Sequence, residues 1–151
     1  MSIDAAKTVT ANFQQVNPDA NGNGILDEWE ETHFGNADPG SNPANDDADH
    51  DGISNLMEFA LNTDPLAQNA NPLVHDLEPI SGSRHLRLTV PKNPAATNLT
   101  YTVETCDSLT GWSAADTTVE TNTANQLIVR DNFSDTTAPR RFIRLRVTVT
   151  P

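Results

Sequence analysis

Asp47-Ala48-Asp49-His50-Asp51-Gly52-Ile53-Ser54-Asn55-Leu56-Met57-Glu58 is the stretch on which the reading of this chain turns. Oxygen-bearing side chains stand at its first, third and fifth positions, glycine at its sixth and glutamate at its twelfth. Twenty-eight residues earlier the same string runs Asp19-Ala20-Asn21-Gly22-Asn23-Gly24-Ile25-Leu26-Asp27-Glu28-Trp29-Glu30. Both copies fit the pattern D-x-[DN]-x-[DN]-G-x5-E without a gap.

The spacing has a chemical rationale. A hard divalent cation such as calcium takes six to eight oxygens at about 2.3–2.6 Å, and alternate side chains of a turning loop can converge on one such ion. The candidate ligands of the first loop are Asp19, Asn21, Asn23, the backbone carbonyl of Ile25, Asp27 and Glu30. Those of the second are Asp47, Asp49, Asp51, the carbonyl of Ile53, Asn55 and Glu58. Gly24 and Gly52 supply a backbone angle that other residues resist. Two calcium ions are the implied cofactors. Magnesium matches less well, because it wants a tighter octahedron with fewer protein ligands. The second loop carries four carboxylates against three in the first, so it is predicted to bind more tightly.

Each loop leads into a short apolar period. Leu26, Trp29 and His33 fall at i, i+3 and i+7, with Gly35 closing the run. Ile53, Leu56, Met57, Ala60 and Leu61 mark one face of a second helix that ends near Asn62, ahead of Pro65. Helices of two or three turns are marginal by themselves, and an ion fixing the first turn would hold them.

Beyond these helices the period changes. Residues 67–72 read as a linker. From 73 onward apolar residues alternate at Leu86, Leu88 and Val90, at Leu99, Tyr101 and Val103, around Leu127 and Val129, and at Ile143, Leu145, Val147 and Val149. Segments 91–98 and 131–140 read as loops. The predicted fold is therefore mainly β, with a small α segment: two loop-helix calcium motifs over 17–66 and an antiparallel β-sandwich over 73–151. Upstream, Val9, Ala11 and Phe13 alternate with Thr8, Thr10 and Asn12. This predicts a strand within residues 1–16, either belonging to the fold or a remnant of an upstream repeat.

Composition narrows the function. The chain of 151 residues is 36% apolar with a formal net charge of −12, and six of its 21 acidic residues lie between Asp38 and Glu58. Such a chain repels phosphate backbones, so nucleic acid and anionic membrane are poor partners. No apolar run approaches the 18 residues of a membrane span. The single cysteine, Cys106, excludes an internal disulfide and a cysteine-rich zinc site, and its strand context predicts a core residue. His33, His50, His75 and His85 lack metalloprotease spacing. Ser81, Ser83 and His85 lack a nucleophile elbow, so no enzyme is predicted. Met1-Ser2-Ile3 shows no signal-peptide pattern, and the chain reads as an excised piece, monomeric in isolation.

Asn17-Pro18 enters the first loop without a preceding helix pattern. This loop-helix pair, closing on Thr63-Asp64-Pro65, resembles dockerins and the thrombospondin type 3-like segments found near the C-termini of large secreted bacterial proteins. Tyr101-Thr102-Val103-Glu104-Thr105, Asp107-Ser108-Leu109, Trp112 and Arg141 to Val147 are similar to the β-sandwich modules that follow such segments. Ala6 to Phe13 resembles the last strand of a bacterial surface repeat. The resemblance implies a secreted or cell-surface setting and a structural, calcium-binding role at the end of a larger protein. The alternative it leaves open is a calcium-supported binding module for a glycan or protein partner. Dockerin recognition uses small polar residues at loop positions 10 and 11. Here those positions hold Glu28-Trp29 and Leu56-Met57, and both loops end in Glu, departing from that pattern.

Overall fold

The computed structural model describes residues 19–37 and 43–150. The strand predicted within residues 8–13 lies outside the described residues. Among these residues two helices, α1 (Asp27–Phe34) and α2 (Asn55–Leu61), precede six strands: β1 (Val74–Ile80), β2 (Ser83–Pro91), β3 (Leu99–Cys106), β4 (Thr117–Asn122), β5 (Gln126–Ser134) and β6 (Phe142–Val149). Among the described residues no helix is long and apolar enough to cross a membrane.

Both helices start without a side-chain cap and end on a left-handed residue, Gly35 (φ 78°) and Asn62 (φ 60°). The N–H of Gly35 closes onto the Glu31 carbonyl at 3.0 Å, and that of Thr63 onto the Glu58 carbonyl at 3.0 Å. These are the helix stops that the sequence predicts. The α2 start is held by neighbouring backbone: the N–H groups of Asn55 and Leu56 donate to the carbonyls of Asp46 (2.7 Å) and Ala44 (2.9 Å). First-turn donors that an isolated helix would leave unpaired are thus satisfied.

The strands form two antiparallel sheets, one of four strands in the order β1-β2-β5-β4 and one of two strands, β3-β6. β1 and β2 join through Ser81-Gly82, both at positive φ (51° and 86°), as a two-residue hairpin requires. β1 and β4 carry none of the alternation picked out in the sequence. They are the edges of the four-stranded sheet, and their side chains are mostly exposed, so little burial selects for apolar residues there.

One buried cluster unites Leu88, Val90, Leu127 and Val129 of the four-stranded sheet with Val103 of the two-stranded one and Leu61 of α2. A second gathers Ile25, Phe59, Ala60, Ala96 and Leu99, with Trp29 and Leu56 packed on it. Tyr101 touches both clusters, and its hydroxyl donates to the Ala60 carbonyl at 2.6 Å. Asn93 donates its side-chain amide to the Phe59 carbonyl and its backbone N–H to the Ala60 carbonyl, each at 2.9 Å. The last carbonyls of α2 therefore find their donors on the β side of the molecule. Cys106 is buried, as its strand context predicts.

Residues 131–134, predicted as loop, continue β5. Asp131-Asn132 has turn composition, yet Asp131 is fully buried because Arg141 reaches it. Arg141 Nε and Nη2 donate to the two carboxylate oxygens at 2.6 and 3.1 Å, and Nη2 also donates to Thr105 Oγ1 of β3 at 2.9 Å. This bidentate pair spans the two sheets. Truncating it as Arg141→Ala strands a buried carboxylate, so chemical denaturation should show a loss of about 3–5 kcal/mol. Arg84→Ala, at an exposed pair with Asp135, should cost under about 1 kcal/mol.

Candidate metal centre

The two loops share one hydrogen-bond scheme. Position 1 receives two backbone N–H groups: Asp19 accepts from Asn23 (3.1 Å) and Gly24 (2.9 Å), Asp47 from Asp51 (3.2 Å) and Gly52 (2.9 Å). The position 3 side chain accepts from the N–H of position 5, at 2.9 Å in Asn21 and 3.1 Å in Asp49. The position 5 side chain accepts from the N–H of position 7, at 2.7 Å in Asn23 and 2.8 Å in Asp51. Gly24 and Gly52 both sit at φ 92°. Position 4 is left-handed as well, at Gly22 (φ 73°) and His50 (φ 63°). The glycine at position 4 of loop one is the sequence sign of this second constraint. His50, exposed, adopts the angle without it.

Loop two gathers its carboxylates. One oxygen from each of Asp47, Asp49 and Asp51 lies within 4.8 Å of the others, a cluster able to hold a metal ion. Glu58 is fully buried beside them, and Asn55 is 1% exposed. Four buried side-chain polar atoms among the described residues have no hydrogen-bond partner. Three belong to this loop: Asp49 Oδ2, Asn55 Oδ1 and Glu58 Oε2, at positions 3, 9 and 12. A buried oxygen without a donor is costly, and three converging on one loop fit a cation as the missing partner. Ile53, whose carbonyl is the position 7 candidate, is half-buried.

Charge crowding marks the same place. Burial, and then the Asp49 and Asp51 carboxylates, push the Glu58 carboxyl up to about 7. Asp49 is raised by burial and by Asp51 and Asp47. Asp47 is held below the usual carboxylate range: burial pushes it upward, but the N–H groups of Gly52, Asp51 and His50 outweigh that. No lysine or arginine occurs in the sequence between Lys7 and Arg84.

Loop one brings together Asp19, Asn21, Asn23 and Glu30 through its own hydrogen bonds, and Asp27 accepts the Ala20 N–H at 3.0 Å. Ile25 is fully buried. Loop one also abuts the C-terminal strand: a methyl group on Gly24 would overlap the Val149 side chain, and Asn98 donates to the Gly24 carbonyl at 3.1 Å.

Three contacts to loop two were not legible in the sequence. Thr63 Oγ1 donates to Glu58 at 3.3 Å, Gln68 Nε2 to the Asp49 carbonyl at 2.8 Å, and the Asn69 N–H to Asp51 Oδ2 at 2.8 Å. Gln68 and Asn69 lie in the stretch read as a linker, and polar composition alone gives no hint that it docks on the loop.

The raised Glu58 carboxyl sets a pH dependence. With metal withdrawn, the folded chain holds that proton more tightly than the unfolded chain does. Glu58 then contributes stability that is full below its ordinary value of 4.5 and lost as pH rises through about 7. In chelator, the melting temperature should fall across that window, and Glu58→Gln should flatten the fall in calorimetric scans. Comparisons of the chain with protein-family models, with curated proteins and with solved structures gave no match.

Proposed function

We propose that this chain is a calcium-stiffened structural module, in which ion binding at the loops fixes the helix pair against the β-sheets. The observation that carries the reading is the set of three partnerless buried oxygens, Asp49 Oδ2, Asn55 Oδ1 and Glu58 Oε2, beside the aspartate triplet of loop two. Every donor there is oxygen and the residues are acidic, which suits a hard cation and offers nothing to a thiophilic one. Asp47, Asp49, Asp51, Asn55, Glu58 and the Ile53 carbonyl would hold the ion, and bound calcium would supply the positive charge that these oxygens lack. Loop one would take a second ion through Asp19, Asn21, Asn23, Ile25, Asp27 and Glu30.

The surroundings of the loops support a mechanical role. α2 runs from loop two into both buried clusters, and its last carbonyls are met by Asn93 and Tyr101. Order imposed at Glu58 thus passes through one short helix into the sheets. On the resemblance to bacterial calcium segments we assign such a module to a secreted or cell-surface protein, where calcium is abundant, and the paired sheets would form the β-sandwich of that arrangement.

We read the chain as non-catalytic. Ser81 forms the β1–β2 turn, the Ser83 hydroxyl pairs with Thr136, and the His85 ring bonds the Asp131 carbonyl, so the serine–histidine group serves the sheet. Trp112, the aromatic most suited to stacking on a sugar, has the Arg144 guanidinium 4.3 Å from its ring centre, which favours the structural reading over glycan binding.

Thermal melting tests the proposal. A ligand at about 100 times its dissociation constant stabilises the folded state by about 2.7 kcal/mol. Calcium added to chelated protein should therefore raise the melting temperature by several degrees, and equimolar magnesium should raise it less. Asp49→Asn combined with Glu58→Gln should remove most of the calcium response. An unchanged melting temperature on chelation refutes the structural role.

A further inference from the structure

Loops one and two share a backbone but differ in the atoms they turn toward their twelfth residue. In loop two, Glu58 meets carboxylates, and one of its oxygens has no donor. In loop one, Glu30 is equally buried, yet both its oxygens are served: Asn21 Nδ2 donates to Oε2 at 3.0 Å and Asn23 Nδ2 to Oε1 at 2.7 Å. Asn21 Nδ2 also donates to the Ala37 carbonyl at 3.2 Å. The other end of each amide is engaged as well, since Asn21 Oδ1 accepts the Asn23 N–H and Asn23 Oδ1 the Ile25 N–H. Each amide is oriented from both ends, its oxygen on the backbone and its NH2 on the glutamate. Hydrogen bonds to a charged acceptor are about twice as strong as neutral ones. Positions 3, 5 and 12 of loop one thus form a closed donor–acceptor set built from the chain.

We propose that Asn21 and Asn23 stand in for the cation in loop one, so that this loop closes without metal and admits calcium only at higher concentration than loop two. The inference rests on the calcium reading of loop two. An ion entering loop one must displace two charge-assisted amide bonds and finds three carboxylates. In loop two it relieves unpartnered oxygens and finds four. The chain then has two thresholds: a tight site that holds the fold, and a looser one, seated against Val149 and Asn98, that responds to ambient calcium.

The experiment is calorimetric titration of the intact chain with calcium chloride, followed in parallel by the amide NMR signals of Gly24 and Gly52, whose N–H groups bond Asp19 and Asp47. Two events are expected, at least about tenfold apart in affinity. Gly52 should move in the tighter event and Gly24 in the weaker, and Glu58→Gln should abolish the tighter one. Asn21→Asp with Asn23→Asp should tighten the weaker event by about tenfold while lowering the melting temperature in chelator. If that pair does not fold without metal, Asn23→Asp alone, titrated down from calcium-loaded protein, should show the same tightening. Equal affinities in the unaltered chain, Gly24 moving first, or aspartate variants that leave the weaker event in place overturn the inference while the calcium reading stands. Titration without any heat or shift in any form of the chain overturns both.

Discussion

The constraint on which this molecule depends is uncompensated negative charge. Residues 19–64 carry twelve of the 21 carboxylates and no lysine or arginine, whereas residues 73–151 carry eight acidic and eight basic residues. The β portion settles its charges internally: Asp131 with Arg141, Glu104 with Arg144 and Arg146, Asp76 and Glu78 with Arg87. Among the described residues the loop portion meets its carboxylates with backbone N–H groups, side-chain amides and the Thr63 hydroxyl. Coulomb repulsion among Asp47, Asp49, Asp51 and Glu58 is strongest where water is scarce, and Glu58 is fully buried. A chain that buries such a group is committed to neutralising it, by a proton or by a counter-charge.

That commitment is linked to the rest of the fold through few but well-placed contacts. The carbonyls of Phe59 and Ala60 bind Asn93 and Tyr101, and Tyr101 belongs to both buried clusters. Burial lifts the Tyr101 phenol to about 12, so it remains a donor at any ordinary pH. Loop two is clasped from the other side by Gln68 and Asn69. Neither helix would persist alone at seven or eight residues; each is a bridge between an ordered loop and a packed sheet.

Much of this was legible in the sequence. The loop pattern asks for glycine at its sixth position and the apolar period ends at Gly35 and Asn62, so the left-handed angles of Gly24 and Gly52 and the two helix stops followed directly. Strands β2, β3, β5 and β6 were visible because apolar residues alternate along them, as at Leu86, Leu88 and Val90 of β2 and Ile143, Leu145 and Val147 of β6. β1 and β4 were not, since edge strands with exposed side chains carry little apolar period, and Pro79 and Thr-rich composition mask what remains. The Asp131–Arg141 pair was hidden because turn-like residues in sequence can be ion-paired in space. The different state of Glu30 and Glu58 was equally hidden, for it depends on which atom of an amide or carboxylate faces inward.

Gly24 carries one more implication. Its backbone angle is matched by Gly52, but only Gly24 also lies against Val149 and Leu56, while Gly52 faces open space. The two positions are equivalent in the repeat and unequal in the tertiary structure. A side chain at position 52 would meet only the strain of its left-handed backbone, whereas one at position 24 would meet that strain and Val149 as well. The two loops share one backbone course, and docking one of them on β6 narrows the side chains its sixth position can hold.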